Sequence, residues 1–318
     1  MSAAIRVVAL SGGIGGAKLA LGLYRTLSPD WLTVVCNTGD DFEHLGLSIS
    51  PDLDTVLYTL AGIANPETGW GRANETWTFM RALEQLGGEA WFRLGDADLA
   101  THVERTRRLA AGESLSAISD DFRTRLAVHA RLVPMCDEPV RTMVHSSDGV
   151  LPFQRYFVER RCAPKVSGFE FRGAGEASLT PALCAALESE SLEAVMICPS
   201  NPFISIDPIL AVPGMRAAIA ACRAPVVAVA PIIGGRALKG PTAKMMAELG
   251  LPTSACAVAE HYGGLLDGFV LDTADAAEAE AIEVPCLATR TLMVSEDDER
   301  TLATEVLAFA RRIGKTTR

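Results

Sequence analysis

The sequence predicts an α/β fold: a Rossmann-like, doubly wound, mainly parallel sheet carrying a mostly helical insertion. Three observations carry that prediction. Short apolar runs rich in β-branched residues alternate with helical patterns at both ends of the chain, and the runs are nearly continuous, as in strands covered on both faces. A glycine-rich stretch, Gly12-Gly13-Ile14-Gly15-Gly16-Ala17-Lys18, joins the first run to a helical pattern. The middle of the chain loses the alternation and reads as helices and turns.

In order along the chain, the expected strands are residues 5–10, 32–36, 194–198, 225–230, 268–272 and 287–294. Helical patterns at 181–188, 241–249 and 298–312 separate or follow them. From about 54 to 130 lie four further helical stretches, with stop signals such as Gly87 and Gly112 after apolar-periodic runs. Trp70, Trp77 and Trp91 fall in this region. Residues 140–161 then resemble a β-ribbon turning at Ser147-Asp148-Gly149. The expected organisation is a Rossmann-like core of 1–54 and 160–318, with 55–159 as a mainly helical insertion carrying a short β-ribbon.

Composition narrows the function classes. A chain of 318 residues, 49% hydrophobic, buries a large core as one elaborated domain or two. With 29 basic against 39 acidic residues the net charge is −10, which repels nucleic acid and anionic membrane surfaces and leaves room only for a local cationic pocket. Eight scattered cysteines with no C-x-x-C pair argue against a zinc site or a disulfide framework. The absence of a secretory pattern and of a membrane-length apolar run gives a cytoplasmic expectation.

The glycine loop matches neither familiar phosphate motif. Lys18 stands where the third glycine of a dinucleotide fingerprint belongs, and Ala17 separates Gly16 from Lys18, which breaks a Walker A pattern. The physics still favours an anion: Gly12, Gly13, Gly15 and Gly16 offer backbone N–H groups at a helix N-terminus, and Lys18 adds a full charge. The alternative is a tight turn whose glycines serve packing alone.

Other candidates lie beyond later strands. Asn37-Thr38-Gly39-Asp40-Asp41 places adjacent carboxylates beside the glycine loop, which suits Mg²⁺ shared with a phosphate, or else a solvated turn. Ser50-Pro51-Asp52-Leu53-Asp54 reads fully as a helix start. Asp96, Asp98 and His102, preceded by Arg93, fit either a metal site or a capped helix. Asn201, between two prolines, offers amide and carbonyl to a nucleobase edge. Gly234, Gly235, Arg236 and Lys239 form a second anion loop, and two such loops point to a diphosphate ligand. No serine–histidine–acid order or reactive cysteine context points to covalent catalysis.

Taken together, GGIGGAKLALGL, NTGDD, SPDLDT, WFRLGDADLATH, SNPFISIDPIL and APIIGGRALKGPTAKM resemble the 2-phospho-L-lactate transferases of coenzyme F420 biosynthesis, from the first strand to at least Met245. That resemblance implies a Mg²⁺-dependent homodimer. The implied reaction moves a phospholactyl, phosphoenolpyruvyl or phosphoglyceryl group from a guanosine diphosphate conjugate to the ribityl hydroxyl of the deazaflavin Fo, releasing GMP. It implies Asp54 and Arg93 as Fo-binding positions, and it sets the glycine loop, Lys18 and the 234–239 loop around the donor diphosphate. Mg²⁺ is then expected at Asp40 and Asp41, with Asp40 and Asp54 as the catalytic carboxylates. The partners are small molecules, with no nucleic acid and no membrane. Ile14 stands where many relatives have threonine, and Arg93 where others carry lysine.

Two rivals are weaker. A UDP-sugar-binding regulator of the gluconeogenesis-factor type shares the core but carries a different stretch at the second strand and lacks the Asp54–Arg93 pairing. A nicotinamide-dependent oxidoreductase is disfavoured by the broken fingerprint and by the Asp-Asp loop where a ribose-binding acid belongs.

Overall fold

The computed structural model describes residues 6–237 and 240–315. Its centre is one sheet of seven strands: β1 (Val7–Ser11), β2 (Leu32–Cys36), β3 (Arg131–Pro134), β4 (Ala194–Ile197), β5 (Val226–Val229), β6 (Gly268–Asp272) and β7 (Cys286–Thr289). The spatial order is β7-β6-β5-β4-β1-β2-β3, and every neighbouring pair is parallel. The chain winds outward from β1 through β2 to β3, then returns to β4 on the other side of β1. This reversal between β1 and β4 is the switch point, and in open α/β sheets ligands bind outside the carboxyl ends of the strands at such a point.

The missing period-2 alternation has a plain cause: both faces of the sheet are covered. Val8, Leu10, Val195, Ile197 and Phe269 belong to one apolar cluster, while Val7, Ala9, Ala194, Met196 and Val270 belong to another. Helix α1 (Gly13–Thr26), helix α2 (Pro51–Leu60) and the C-terminal helix Glu296–Ile313 supply residues to the second cluster. Helix α1 approaches the C-terminal helix so closely that a Cβ at Gly22 would lie 2.2 Å from the Glu299 carbonyl oxygen. Gly22→Ala is therefore expected to destabilise by about 1–3 kcal/mol through overpacking, despite alanine's better helix propensity. A denaturant midpoint at or above the parent's would show that the two helices separate freely.

Strands β2 and β6 coincide with the expected ranges, and the first and last strands fall at Val7–Ser11 and Cys286–Thr289. Strand β3 lies outside the six expected ones; it is four residues long and sits on the sheet edge. It falls within the 55–159 stretch, as does most of α2, which packs on α1. The rest of that stretch holds helices α3 (Thr78–Gln85), α4 (Asp96–Ala110) and α5 (Leu115–Arg125) and the ribbon Arg141–Ser146 with Gly149–Pro152. Strand Val166–Arg172 adds to this ribbon as a third, antiparallel member. All eight cysteines are free thiols. Among the described residues, no single helix is long and apolar enough to cross a membrane.

Candidate functional site

Ser11 and Cys36 are opposite each other at the carboxyl ends of β1 and β2. Just beyond them lie the glycine loop, the Asn37–Asp41 turn and the start of α2. Gly13 adopts φ +63°, a left-handed conformation natural to glycine, and its N–H donates to Asp52 Oδ1 at 2.7 Å. A Cβ on Gly12 would lie 2.6 Å from both Asp52 Oδ2 and Ser205 Cβ, one on Gly15 would lie 2.4 Å from the Pro199 carbonyl oxygen, and one on Gly16 would lie 2.5 Å from the Ser11 and Ser200 hydroxyls. These three glycines thus serve close packing against the loop after β4. Ser200 closes that contact, accepting from Gly12 N at 3.2 Å and donating to Gly12 O at 2.8 Å.

Lys18 is engaged elsewhere. Its ammonium donates to the Met293 carbonyl oxygen at 2.6 Å rather than reaching over the glycine N–H groups. Asn201 is engaged locally as well. Its Oδ1 accepts from Phe203 N (2.9 Å) and Ile204 N (3.4 Å), capping the turn Pro202–Ile206. Only its amide NH₂, 3.5 Å from Met245 Sδ, is left for another partner. Gly234 and Gly235, at φ +57° and +69°, turn the hairpin Ile232–Ile233/Arg236–Ala237. The Gly234 N–H meets both carboxylate oxygens of Asp275, at 3.0 and 2.9 Å. Lys239 lies outside the described residues.

A group of buried acids sits at the centre. Asn37 Nδ2 donates towards Asp40 Oδ1 (3.0 Å), Asp52 Oδ2 (2.9 Å) and the Ile204 carbonyl (3.1 Å), three acceptors for two protons. Asp41 Oδ2 accepts from the Ser50 hydroxyl at 2.7 Å, while its buried Oδ1 has no partner. Ser50 therefore serves Asp41 and not, as the sequence suggests, the open N–H groups of α2. Burial pushes Asp41 up to about 7 and Asp52 to about 6. Burial, reinforced by the Asp52 charge, raises Asp40 well above the carboxylate range. Three crowded carboxylates, short of donors and with one orphaned oxygen, fit a hard divalent cation with oxygen ligands. Asp52 joins Asp40 and Asp41 here, although helix-start chemistry accounts for it fully in the sequence.

Two residues beyond Asp52 on α2, Asp54 is buried and paired with Arg105 of α4 through both oxygens, Nη2 to Oδ1 and Nη1 to Oδ2 at 3.1 Å. Burial opposes the Arg105 charge, but Asp54 outweighs it and raises the guanidinium's pKa. Arg105 Nη1 also approaches the Ser48 carbonyl (3.3 Å) and His102 Nδ1 (3.4 Å). His102 Nε2 lies 3.3 Å from Asp98 Oδ2, and Tyr58 donates to Asp98 Oδ1 at 2.6 Å. Burial raises Asp98, yet the His102 and Tyr58 contacts prevail and leave it lowered. Asp54, Asp98 and His102 present ligand atoms within 4.8 Å of one another, as a metal site would, but the Arg105 guanidinium already supplies the cation there. Arg93 is exposed, with its guanidinium carbon 4.1 Å above the Trp77 ring, so the partner that the structure gives Asp54 is Arg105 and not Arg93.

Fold and site together define an α/β protein with a glycine turn and a group of buried acids beyond the carboxyl ends of a parallel sheet. The family model described as 2-phospho-L-lactate transferase CofD matches residues 7–308, and the chain belongs to that family: it is a transferase. A phosphoenolpyruvate transferase of Streptomyces griseus is 41% identical over 97% of this chain and 99% of its own. A 2-phospho-L-lactate transferase of Methanosarcina mazei is 39% identical over 93% and 98%. A solved UPF0052-family protein from Bacillus halodurans superposes with a TM-score of 0.65 at 16% identity, covering 95% of this chain and 98% of that one, a likeness of fold alone. The regulator reading is not favoured beside these transferases.

Proposed function

We propose that the protein transfers a phospholactyl, phosphoenolpyruvyl or phosphoglyceryl group from a guanosine diphosphate conjugate to the ribityl hydroxyl of Fo, within coenzyme F420 biosynthesis. The observation that carries this reading is the buried Asp40, Asp41 and Asp52 group beside the glycine loop, with Asp54 two residues beyond Asp52 on α2. The hydroxyl oxygen forms a new O–P bond to the phosphorus bearing the acid. The bridging P–O bond breaks, and its electron pair leaves with GMP.

Asp40, Asp41 and Asp52 would hold Mg²⁺, which would supply charge neutralisation at the diphosphate. Asp52 and Asn37 keep the other acids in register, and the loop after β4 closes over the glycine turn. Asp54 accepts the hydrogen bond of the ribityl hydroxyl and passes its proton towards solvent. Both Asp54 oxygens are engaged by Arg105, so this carboxylate suits orienting the nucleophile more than retaining the proton. Arg93, on the rim, donates to a polar edge of the acceptor.

Purified protein offered Fo, Mg²⁺ and each guanylated conjugate is expected to yield the corresponding product mass and GMP. GDP at a hundredfold its Kd is expected to stabilise the fold by about 2.7 kcal/mol, read as a raised thermal midpoint. UDP-sugars and NAD are expected to do much less. A larger shift with a UDP-sugar, with no product from any conjugate, would overturn the reading.

A further inference from the structure

Arg105 is buried to 1% exposure, and no motif in the sequence singles it out. Asp98, His102 and Arg105 are spaced four and three residues apart on α4, so they share one face of that helix. Asp54 and Tyr58, four apart on α2, share the opposing face. The contacts between the two faces have a consistent donor order. A guanidinium only donates, so His102 Nδ1 accepts from Arg105 at 3.4 Å, while Nε2 lies 3.3 Å from Asp98 Oδ2 without hydrogen-bond geometry. Tyr58 donates to the other Asp98 oxygen. Arg105 itself reaches both Asp54 oxygens and the Ser48 carbonyl, two residues before the Ser50 that holds Asp41.

A contact that only glued α2 to α4 would be made more cheaply by apolar side chains, because burying a guanidinium carries a heavy desolvation cost. What the planar fork adds is geometry: two parallel N–H···O bonds fix the plane of a carboxylate, which one ammonium cannot do. Each Asp54 oxygen keeps a second lone pair for another donor.

We propose that Arg105 is a positioning residue for the acceptor, acting through Asp54: its fork, braced by His102, fixes the carboxylate that the ribityl hydroxyl must meet. This inference rests on the reading of Asp54 as an acceptor contact. Arg105 does not touch the substrate.

The test is a cycle of Arg105→Lys, Asp54→Asn and the double variant, with KM for Fo, KM for the donor conjugate, kcat and thermal midpoint measured for each. Arg105→Lys keeps the charge and loses the fork, so KM for Fo is expected to rise about tenfold while donor KM stays within about twofold. On the Asp54→Asn background the same change is expected to add less than about twofold, because the group it positions is gone. Parent-like Fo kinetics in Asp54→Asn would overturn the acceptor reading itself. A slowed Asp54→Asn combined with parent-like Arg105→Lys, with penalties that multiply in full, or with equal rises in both KM values, would overturn the positioning role alone. Should Arg105→Lys fail to fold, His102→Asn takes its place: it keeps the ion pair but removes the brace, and a parent-like KM for Fo would then overturn the proposal.

Discussion

Between pH 5 and pH 8 the metal-free protein is expected to lose a few kcal/mol of folding stability, and Mg²⁺ is expected to restore much of it at the upper end. The cause is the buried acid group. Asp41 is pushed up to about 7 by burial, against help from Ser50, Arg141 and Arg105. Asp52 is pushed up to about 6, and Asp40 well above its ordinary value. Unfolded, all three release their protons near pH 4. In the window from about 4 to 7 the folded state therefore holds protons that the unfolded chain has lost, and stability falls as pH rises. The penalty is complete above the folded-state values. Each tenfold gain in proton affinity on folding is worth about 1.4 kcal/mol, so the group contributes of the order of a few kcal/mol. Burial lowers His44, which tilts the curve the other way below about pH 6.5, but that is one ring against three buried carboxylates. A divalent cation binds the ionised group, so its stabilisation should be much larger at pH 8 than at pH 5. Denaturant melts at both pH values, with and without Mg²⁺, check this. A curve that rises with pH and ignores Mg²⁺ would remove the cation from this cluster.

Much of the sheet is legible in the sequence because burial on two faces leaves uninterrupted apolar runs. Residues 32–36 and 268–272 are of this kind and fold as β2 and β6. Strand β3 is not legible, since Arg131-Leu132-Val133-Pro134 is short, edge-bound and defined by pairing with residues about a hundred positions earlier. In the site, Asp40 and Asp41 are visible because adjacent acids after a strand have few structural uses. Asp52 is hidden by a helix start that explains it without function. Arg105 is hidden in Val103-Glu104-Arg105-Thr106-Arg107-Arg108, where charge alone reads as a solvated face. Glu104 and Arg107 do pair with each other on the surface, while Arg105 turns inward, and only the packing of α4 near α2 decides which. Lys18 and Asn201 show the converse. Their motifs give residue type and position, but not that a carbonyl from Met293 and a local cap would claim their side chains.

Asp54→Asn is expected to cost both activity and stability, and the structure raises the second figure well above what the sequence implies. As a residue in the first turn of α2, Asp54 would lose only about 1 kcal/mol on becoming Asn, through the helix dipole. Paired to a buried guanidinium, its neutralisation leaves an uncompensated charge in the interior, a change that typically costs about 3–5 kcal/mol. Asn retains one oxygen for the fork, so the lower end of that range is expected. That is a large part of the roughly 5–15 kcal/mol of a typical domain, yet it leaves the protein folded at room temperature. Activity falls for a separate reason. Under the proposed function, loss of a charge-assisted hydrogen bond to the ribityl hydroxyl would cost about 1.5–3 kcal/mol, or roughly ten- to a hundredfold in transfer. In the proposed arrangement GDP does not touch Asp54, so the midpoint gain on adding GDP should match the parent's even though the starting midpoint is lower. The two readouts are independent. A stable Asp54→Asn with slow transfer would mean that Arg105 tolerates an amide partner, and an unstable variant with parent-like turnover would place the acceptor elsewhere.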